Sequence, residues 1–250
     1  MNLLLVNDDG IEAAGLRALA DRIADLGTLY VCAPMHQSSG ESHAITLTRN
    51  IRVEEVDYPG AALAWRVDGT PADCAKAGLQ FCEDRGIRID LVFSGINMGA
   101  NLGADTLYSG TVGAAMEAAL LGYHSVAVSV YGHHATHYDG AARLARQVIE
   151  PVLREIPTNI IININTPDIP AEAIKGVKTA PLGPSYYVDR FEPKGEGYYH
   201  LEGVVPDYDS LDPKVDVALN RIDYATITPL QMDFTEHRLL ETVDAWRLTI

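Results

Sequence analysis

Five short and almost wholly apolar runs constrain this chain more than any other feature. They are NLLLVN (2–7), TLYVCA (28–33), IDLVFSGIN (89–97), SVAVSV (125–130) and NIIININ (159–165). A strand with one wet face alternates polar and apolar residues. A strand that is apolar throughout needs cover on both faces, which parallel sheets obtain from helices in front and behind. The intervening segments supply such helices: apolar residues recur at helical spacing over 12–26, and 111–121 and 140–155 read the same way. GTPADCAKAGLQF adds another helix start, with Thr70 as N-cap, Pro71 as the first helical residue and Asp73 completing an acidic capping box. The expected fold class is α/β, three layers around a mostly parallel, Rossmann-like sheet.

Two stretches break the rhythm. AITLTRNIRVEEV (44–56) alternates and is rich in β-branched residues, which predicts an antiparallel excursion or hairpin. Residues 166–212 mix Pro, Gly and Tyr with short strand-like pieces and read as an irregular β extension. IDYATITPL (222–230) predicts one more strand and 235–248 a C-terminal helix; VVPDYDSLDP (204–213) reads as a solvated acidic loop. With no linker to divide it, the chain is expected to form one domain over 1–250. Its core would span about 1–165, and about 166–250 would form the β extension and C-terminal arm.

Composition narrows the partners. No apolar stretch reaches the ~18–20 residues of a membrane span, and the N-terminus lacks the layout of a secretion signal. Three cysteines (Cys32, Cys74, Cys82), an odd number without metal-ligand spacing, read as reduced core thiols, and the expected location is the cytoplasm. A net charge of −15 argues against a nucleic acid polymer or an anionic membrane as partner. It also means that an anionic substrate needs a local cation.

The first strand ends in adjacent carboxylates, LLLVNDDG (3–10). Asp8 and Asp9 repel one another and resist desolvation, so either they cap the following helix or something positive sits with them. A hard divalent cation such as Mg²⁺ or Mn²⁺ takes one or two carboxylates plus neutral oxygens, and its open positions accept phosphate. Two more polar loops follow strands and would converge on the same sheet edge: QSSGES (37–42) and SGINMGANLGADTLYSGT (94–111). The second runs into a helix whose first turn carries Ser109, Gly110 and Thr111, a good cradle for phosphate. It is neither a Walker A loop nor a dinucleotide fingerprint. GHHATHY (132–138), with His133, His134 and His137, reads as a loop rather than a zinc site. A receiver-like signalling module would also begin with an acidic pair, but it needs a lysine after its fifth strand, and none occurs between Lys76 and Lys175.

Taken together, NDDG (7–10), SGESHAIT (39–46), GTPADC (69–74), SGINMGANLG (94–103), YSGTVGAA (108–115) and TITPL (226–230) with DFT (233–235) resemble the survival protein SurE family, in family order and across nearly the whole chain. The resemblance implies a metal-dependent hydrolase, a 5′-nucleotidase that removes phosphate from nucleoside 5′-monophosphates. It leaves open 3′-monophosphates and polyphosphate as further substrates. It implies one divalent cation per subunit, Mg²⁺ or Mn²⁺, on Asp8, Asp9, Ser39 and Asn97. It places phosphate on Ser109, Gly110 and Thr111, helped by Asn101, and makes Asp8 and Asp9 the catalytic carboxylates. His43, four residues after Ser39, is either a plain strand-edge residue or a proton donor to the leaving alkoxide. The resemblance further implies a homodimer or homotetramer in which a C-terminal arm, roughly 205–250, is exchanged between subunits.

Overall fold

The computed structural model describes residues 1–132, 134–184, 188–204 and 211–249. Its strands are β1 (Asn2–Val6), β2 (Thr28–Pro34), β3 (Val53–Glu55), β4 (Ala61–Val67), β5 (Leu91–Met98), β6 (His124–Val130), β7 (Ile160–Thr166), β8 (Gly176–Thr179), β9 (Val188–Gly195), β10 (Tyr198–Val204) and β11 (Tyr224–Gln231). The helices are α1 (Ala14–Ile23), α2 (Pro71–Glu83), α3 (Gly110–Leu120), α4 (Asp139–Glu155), α5 (Asp216–Arg221) and α6 (Leu240–Asp244). Nine strands form one sheet in the order β3-β4-β2-β1-β5-β6-β7-β11-β8; β9 and β10 make a separate antiparallel hairpin. Only β3 on β4 and β11 on β7 run antiparallel within the main sheet.

The apolar runs are explained by two cores. Leu3 and Leu5 of β1 face α1 and α4, where they meet Leu16, Leu19 and Ile149. Leu4 and Val6 face α2 and α3, where they meet Cys74, Leu79 and Ala114. Each side of the strand is therefore buried against a helix layer, as a parallel sheet requires. Cys32, Cys74 and Cys82 are free and buried. Among the described residues no helix is long and apolar enough to cross a membrane.

The capping box opens α2 as the sequence predicts: Thr70 accepts from the Asp73 N–H at 3.0 Å, and Asp73 accepts from the Thr70 N–H at 3.0 Å. The antiparallel excursion expected over 44–56 is present but shorter: only Val53–Glu55 forms a strand, antiparallel to β4, a strand that the sequence pattern did not reveal. The backbone before it is diverted to α2: Thr46 N–H donates to Asp73 and the Ala44 carbonyl accepts from the Thr70 hydroxyl. Those groups are then unavailable for a ladder. The C-terminal helix is also shorter than predicted, a 3₁₀ turn at His237–Leu239 followed by Leu240–Asp244. Residues 233–249 are all exposed, and a short helix without a packing partner has little to hold it. Two strands of the 166–250 region, β8 and β11, complete the main sheet; most of the acidic 204–213 stretch lies outside the described residues.

Candidate active site

β1 lies between β2 and β5, and the chain builds outward from it to β4 on one side and to β7 on the other. Where strand order reverses in this way, the loops leaving the two central strands part and open a crevice at their carboxyl ends. The NDDG turn leaves β1 there, and Asn97 and Met98 end β5 beside it.

The turn has a local cause. The Asn7 side-chain amide donates to the Gly10 carbonyl at 2.8 Å, and Gly10 sits at φ +100°, a conformation that favours glycine. Asp8 then reaches across to α3: one carboxylate oxygen accepts the Thr111 hydroxyl at 2.6 Å and the other the Thr111 N–H at 3.2 Å. Gly110 leaves room for it, since a Cβ there would stand 3.0 Å from the Asp8 side chain. Asp9 turns toward β5 and accepts the Met98 N–H at 2.9 Å. The Gln37 amide nitrogen lies 3.4 Å from the other oxygen of Asp9 and 3.1 Å from the Ser39 hydroxyl, which brings the second loop onto the pair. Asn97 donates its amide hydrogen to the Gly99 carbonyl at 2.8 Å, leaving its side-chain oxygen as an acceptor. Capping of the following helix is ruled out, because the N-cap of α1 is Ala13 and no side chain caps it.

Asp8 is 3% exposed, and no Lys, Arg or His side chain among the described residues pairs with either carboxylate. Burial pushes the Asp8 carboxyl from an ordinary 3.8 up to about 6; the Thr111 hydrogen bond opposes this and the Asp9 charge adds to it. Burial also raises Asp9, against the hydrogen bonds from Met98 and Gln37. All four oxygen donors, two carboxylates, an amide and a hydroxyl, are hard ligands of the kind a divalent cation takes. A cation would relieve the repulsion and the burial together.

A stability change with pH follows for the cation-free protein. The unfolded chain ionises Asp8 near 3.8, while the folded chain holds the proton to about 6. Stability from this residue is therefore complete below pH 4 and lost as pH rises to about 6 and beyond. Two pH units at about 1.4 kcal/mol each give a loss of about 3 kcal/mol. Thermal melting of chelator-treated protein and of Asp8→Asn between pH 4 and 7 checks this. The native chain should lose about that much more than the variant, and parallel curves would show that Asp8 is not held protonated.

The expected phosphate residues divide. Ser109 caps α3 by accepting from the Val112 N–H at 3.0 Å and keeps its hydroxyl hydrogen. Thr111 is fully buried with both its donors on Asp8, so it orients that carboxylate instead of facing the cleft. With the Val112 and Gly113 N–H groups also used at the cap, Gly110 retains the free N–H of the first turn among the described residues. Asn101 is fixed from all sides: its N–H donates to Asn165, its carbonyl accepts from Asn163 and Asn165, and its amide donates to Ser129 at 2.7 Å. Asn163 and Asn165 are two residues apart in NIIININ, on one face of β7. Polar residues at period two in an otherwise apolar buried strand were the signal for this network. Asp216 had no such signal; it accepts from Gly103 and Gly183, tying the glycine-rich loop to α5.

His43 pairs with Glu117 and not with either carboxylate of the NDDG turn. Its Nε2 lies 2.8 Å from Glu117, which is seven residues, about 10 Å along the helix, beyond Gly110. Among the described histidines of the 132–138 loop, His137 pairs with Asp168 and no metal cluster forms; His133 lies outside the described residues.

A profile of the family described as survival protein SurE matches residues 3–189. The chain belongs to the SurE family. A 5′-nucleotidase SurE of Desulforudis audaxviator is 41% identical over 255 residues, covering 98% of this chain and 97% of the relative. One from Vibrio cholerae serotype O1 is 40% identical over 98% of this chain and 97% of its own length. The crystal structure of the SurE protein from Aquifex aeolicus superposes with a TM-score of 0.86 at 32% identity, over 99% of this chain and 100% of that one. The likeness to these SurE proteins thus spans the acidic turn, the crevice and the C-terminal arm.

Proposed function

We propose that this SurE-family chain is a hydrolase of the 5′-nucleotidase class that removes phosphate from nucleoside 5′-monophosphates, with the switch-point crevice as its active site. One observation carries the reading: a carboxylate pair, Asp8 buried against the first turn of α3 and Asp9 half-buried beside β5, has no cationic partner among the described residues. Asp8, Asp9, the Asn97 side-chain oxygen and the Ser39 hydroxyl would hold one Mg²⁺ or Mn²⁺. Bound there, the cation would polarise the phosphoryl group and acidify a water. The Gly110 N–H, the Ser109 hydroxyl and the spare Asn101 amide hydrogen would bind phosphate oxygens, and the α3 N-terminus would favour their negative charge. Asp9, the more open of the two carboxylates, would accept the proton of the attacking water.

Release of phosphate from a panel of 5′- and 3′-monophosphates and polyphosphate, each with Mg²⁺, Mn²⁺ or neither, tests this. Metal-dependent turnover of 5′-monophosphates is expected; tight binding without turnover would make the chain a binding protein instead.

The same reading places the protein in the cytoplasm as one domain that self-associates. Phe234, Leu239, Leu240, Val243, Trp246 and Leu248 are all exposed on the arm, a row of apolar side chains that a second copy would cover. Deleting residues 231–250 should lower the mass measured by light scattering; an unchanged mass would refute exchange of the arm.

A further inference from the structure

We propose that Glu117 and His43 form a clamp that positions Ser39 at the carboxylate pair, so that Glu117 serves the site without touching substrate. Glu117 is the single charged residue of α3, in a helix otherwise made of small and apolar residues, and it is 5% exposed. A buried carboxylate is costly unless its oxygens are satisfied. Both are: Oε2 meets His43 Nε2 at 2.8 Å, and Oε1 accepts from Lys76 of α2 at 2.6 Å. One buried charge therefore joins two helices and the 37–46 loop.

The loop has been fitted to this helix along its length. Gly113 lacks the Cβ that would strike the Ser42 carbonyl at 2.3 Å and stand 3.0 Å from His43 Cα. Ser42 N–H donates to the Tyr108 carbonyl at 3.0 Å and its hydroxyl donates to the Leu107 carbonyl at 2.5 Å. Farther along, Thr46 N–H donates to Asp73. The run from Ser38, whose N–H donates to the Asp8 carbonyl, to Thr46 is thus pinned at intervals, and His43 is its side-chain anchor into the protein interior. Ser39 itself is exposed, and among the described residues its hydroxyl has the Gln37 amide as its one hydrogen-bond partner, so its position depends on the pins on either side. What separates this role from proton donation to the leaving group is the partner of the imidazole, which is engaged by the Glu117 carboxylate.

The clamp rests on the reading of Ser39 as a metal ligand, and a double-substitution cycle keeps the two ideas apart. Mn²⁺ binding to the cation-free protein is measured by calorimetry for native protein, His43→Ala, His43→Asn, Ser39→Ala and His43→Ala with Ser39→Ala, with melting temperatures to verify folding. His43→Ala should weaken Mn²⁺ binding about tenfold, as loss of an orienting partner does. His43→Asn keeps a donor for Glu117 and should restore most of that loss. In the Ser39→Ala background, His43→Ala should add nothing. If its cost is the same with and without Ser39, the clamp does not act through Ser39 and the proposal fails. If Ser39→Ala alone leaves Mn²⁺ binding unchanged, the ligand set is wrong, and the route through Ser39 falls with it.

Discussion

Asp8→Asn should lower turnover of nucleoside monophosphates about 100- to 1000-fold at any Mn²⁺ concentration, while the protein stays folded. The size follows from removing one of the two charged ligands of the proposed cation site, which would hold a cation against a phosphate dianion, a loss of about 3–4 kcal/mol in transition-state stabilisation. The folded state survives for a reason visible in the structure. Thr111 offers Asp8 an N–H and a hydroxyl, and an asparagine oxygen can still accept one of them. The hydroxyl can rotate to accept from the amide. Above pH 6 the variant also loses a buried charge that the cation-free protein must otherwise carry. Phosphate release across a Mn²⁺ titration, with circular dichroism on the same samples, checks both halves. Near-normal turnover at saturating Mn²⁺ would remove Asp8 from the ligand set.

The second large effect concerns how an anion reaches a chain of net charge −15. A nucleoside monophosphate should bind about 10- to 100-fold more tightly with Mn²⁺ present, and Mn²⁺ should bind more tightly by the same factor with the nucleotide present, because coupling between two ligands is reciprocal. Without the cation, the phosphate meets two carboxylates, and one helix N-terminus offsets only part of that charge. Asn97→Ala should weaken Mn²⁺ binding with no change in net charge, separating coordination from the overall field. Calorimetric titration of nucleotide with and without Mn²⁺ decides the matter. Equal affinities would mean that the α3 turn and Asn101 bind phosphate unaided.

The parts of this fold that were legible in the sequence are those where local pattern and burial agree. β1, β2, β5, β6 and β7 are apolar because both their faces are covered, and α2 begins where Thr70, Pro71 and Asp73 say it should. The 44–52 segment misleads because its alternation suits a strand, whereas its backbone is drawn to the Thr70–Asp73 cap by contacts that no window of sequence contains. The C-terminal arm misleads in the opposite way: helical spacing is present, but the apolar face it marks is left exposed among the described residues. At the site, the acidic pair and the glycine-rich loop announce themselves by residue type. The division of labour between Gly110 and Thr111 does not, since it depends on which of two neighbours faces Asp8. Glu117 was hidden for a similar reason, as one acidic residue in a helix carries no mark of its depth or its partners.

The hydrogen bonds from Thr111 to Asp8 join residues 103 positions apart. During synthesis the acidic turn leaves the ribosome early and waits for α3. At roughly 5–20 residues per second, that wait is about five to twenty seconds. Until then Asp8 has no helix to hold it. Any nascent or truncated product that ends before α3 thus lacks both Thr111 donors that orient Asp8. The proposed site is complete later still, because Asn101 is held by Asn163 and Asn165 and the glycine-rich loop by Asp216, all made after α3, so the geometry of the site also sets the earliest moment at which the chain can act.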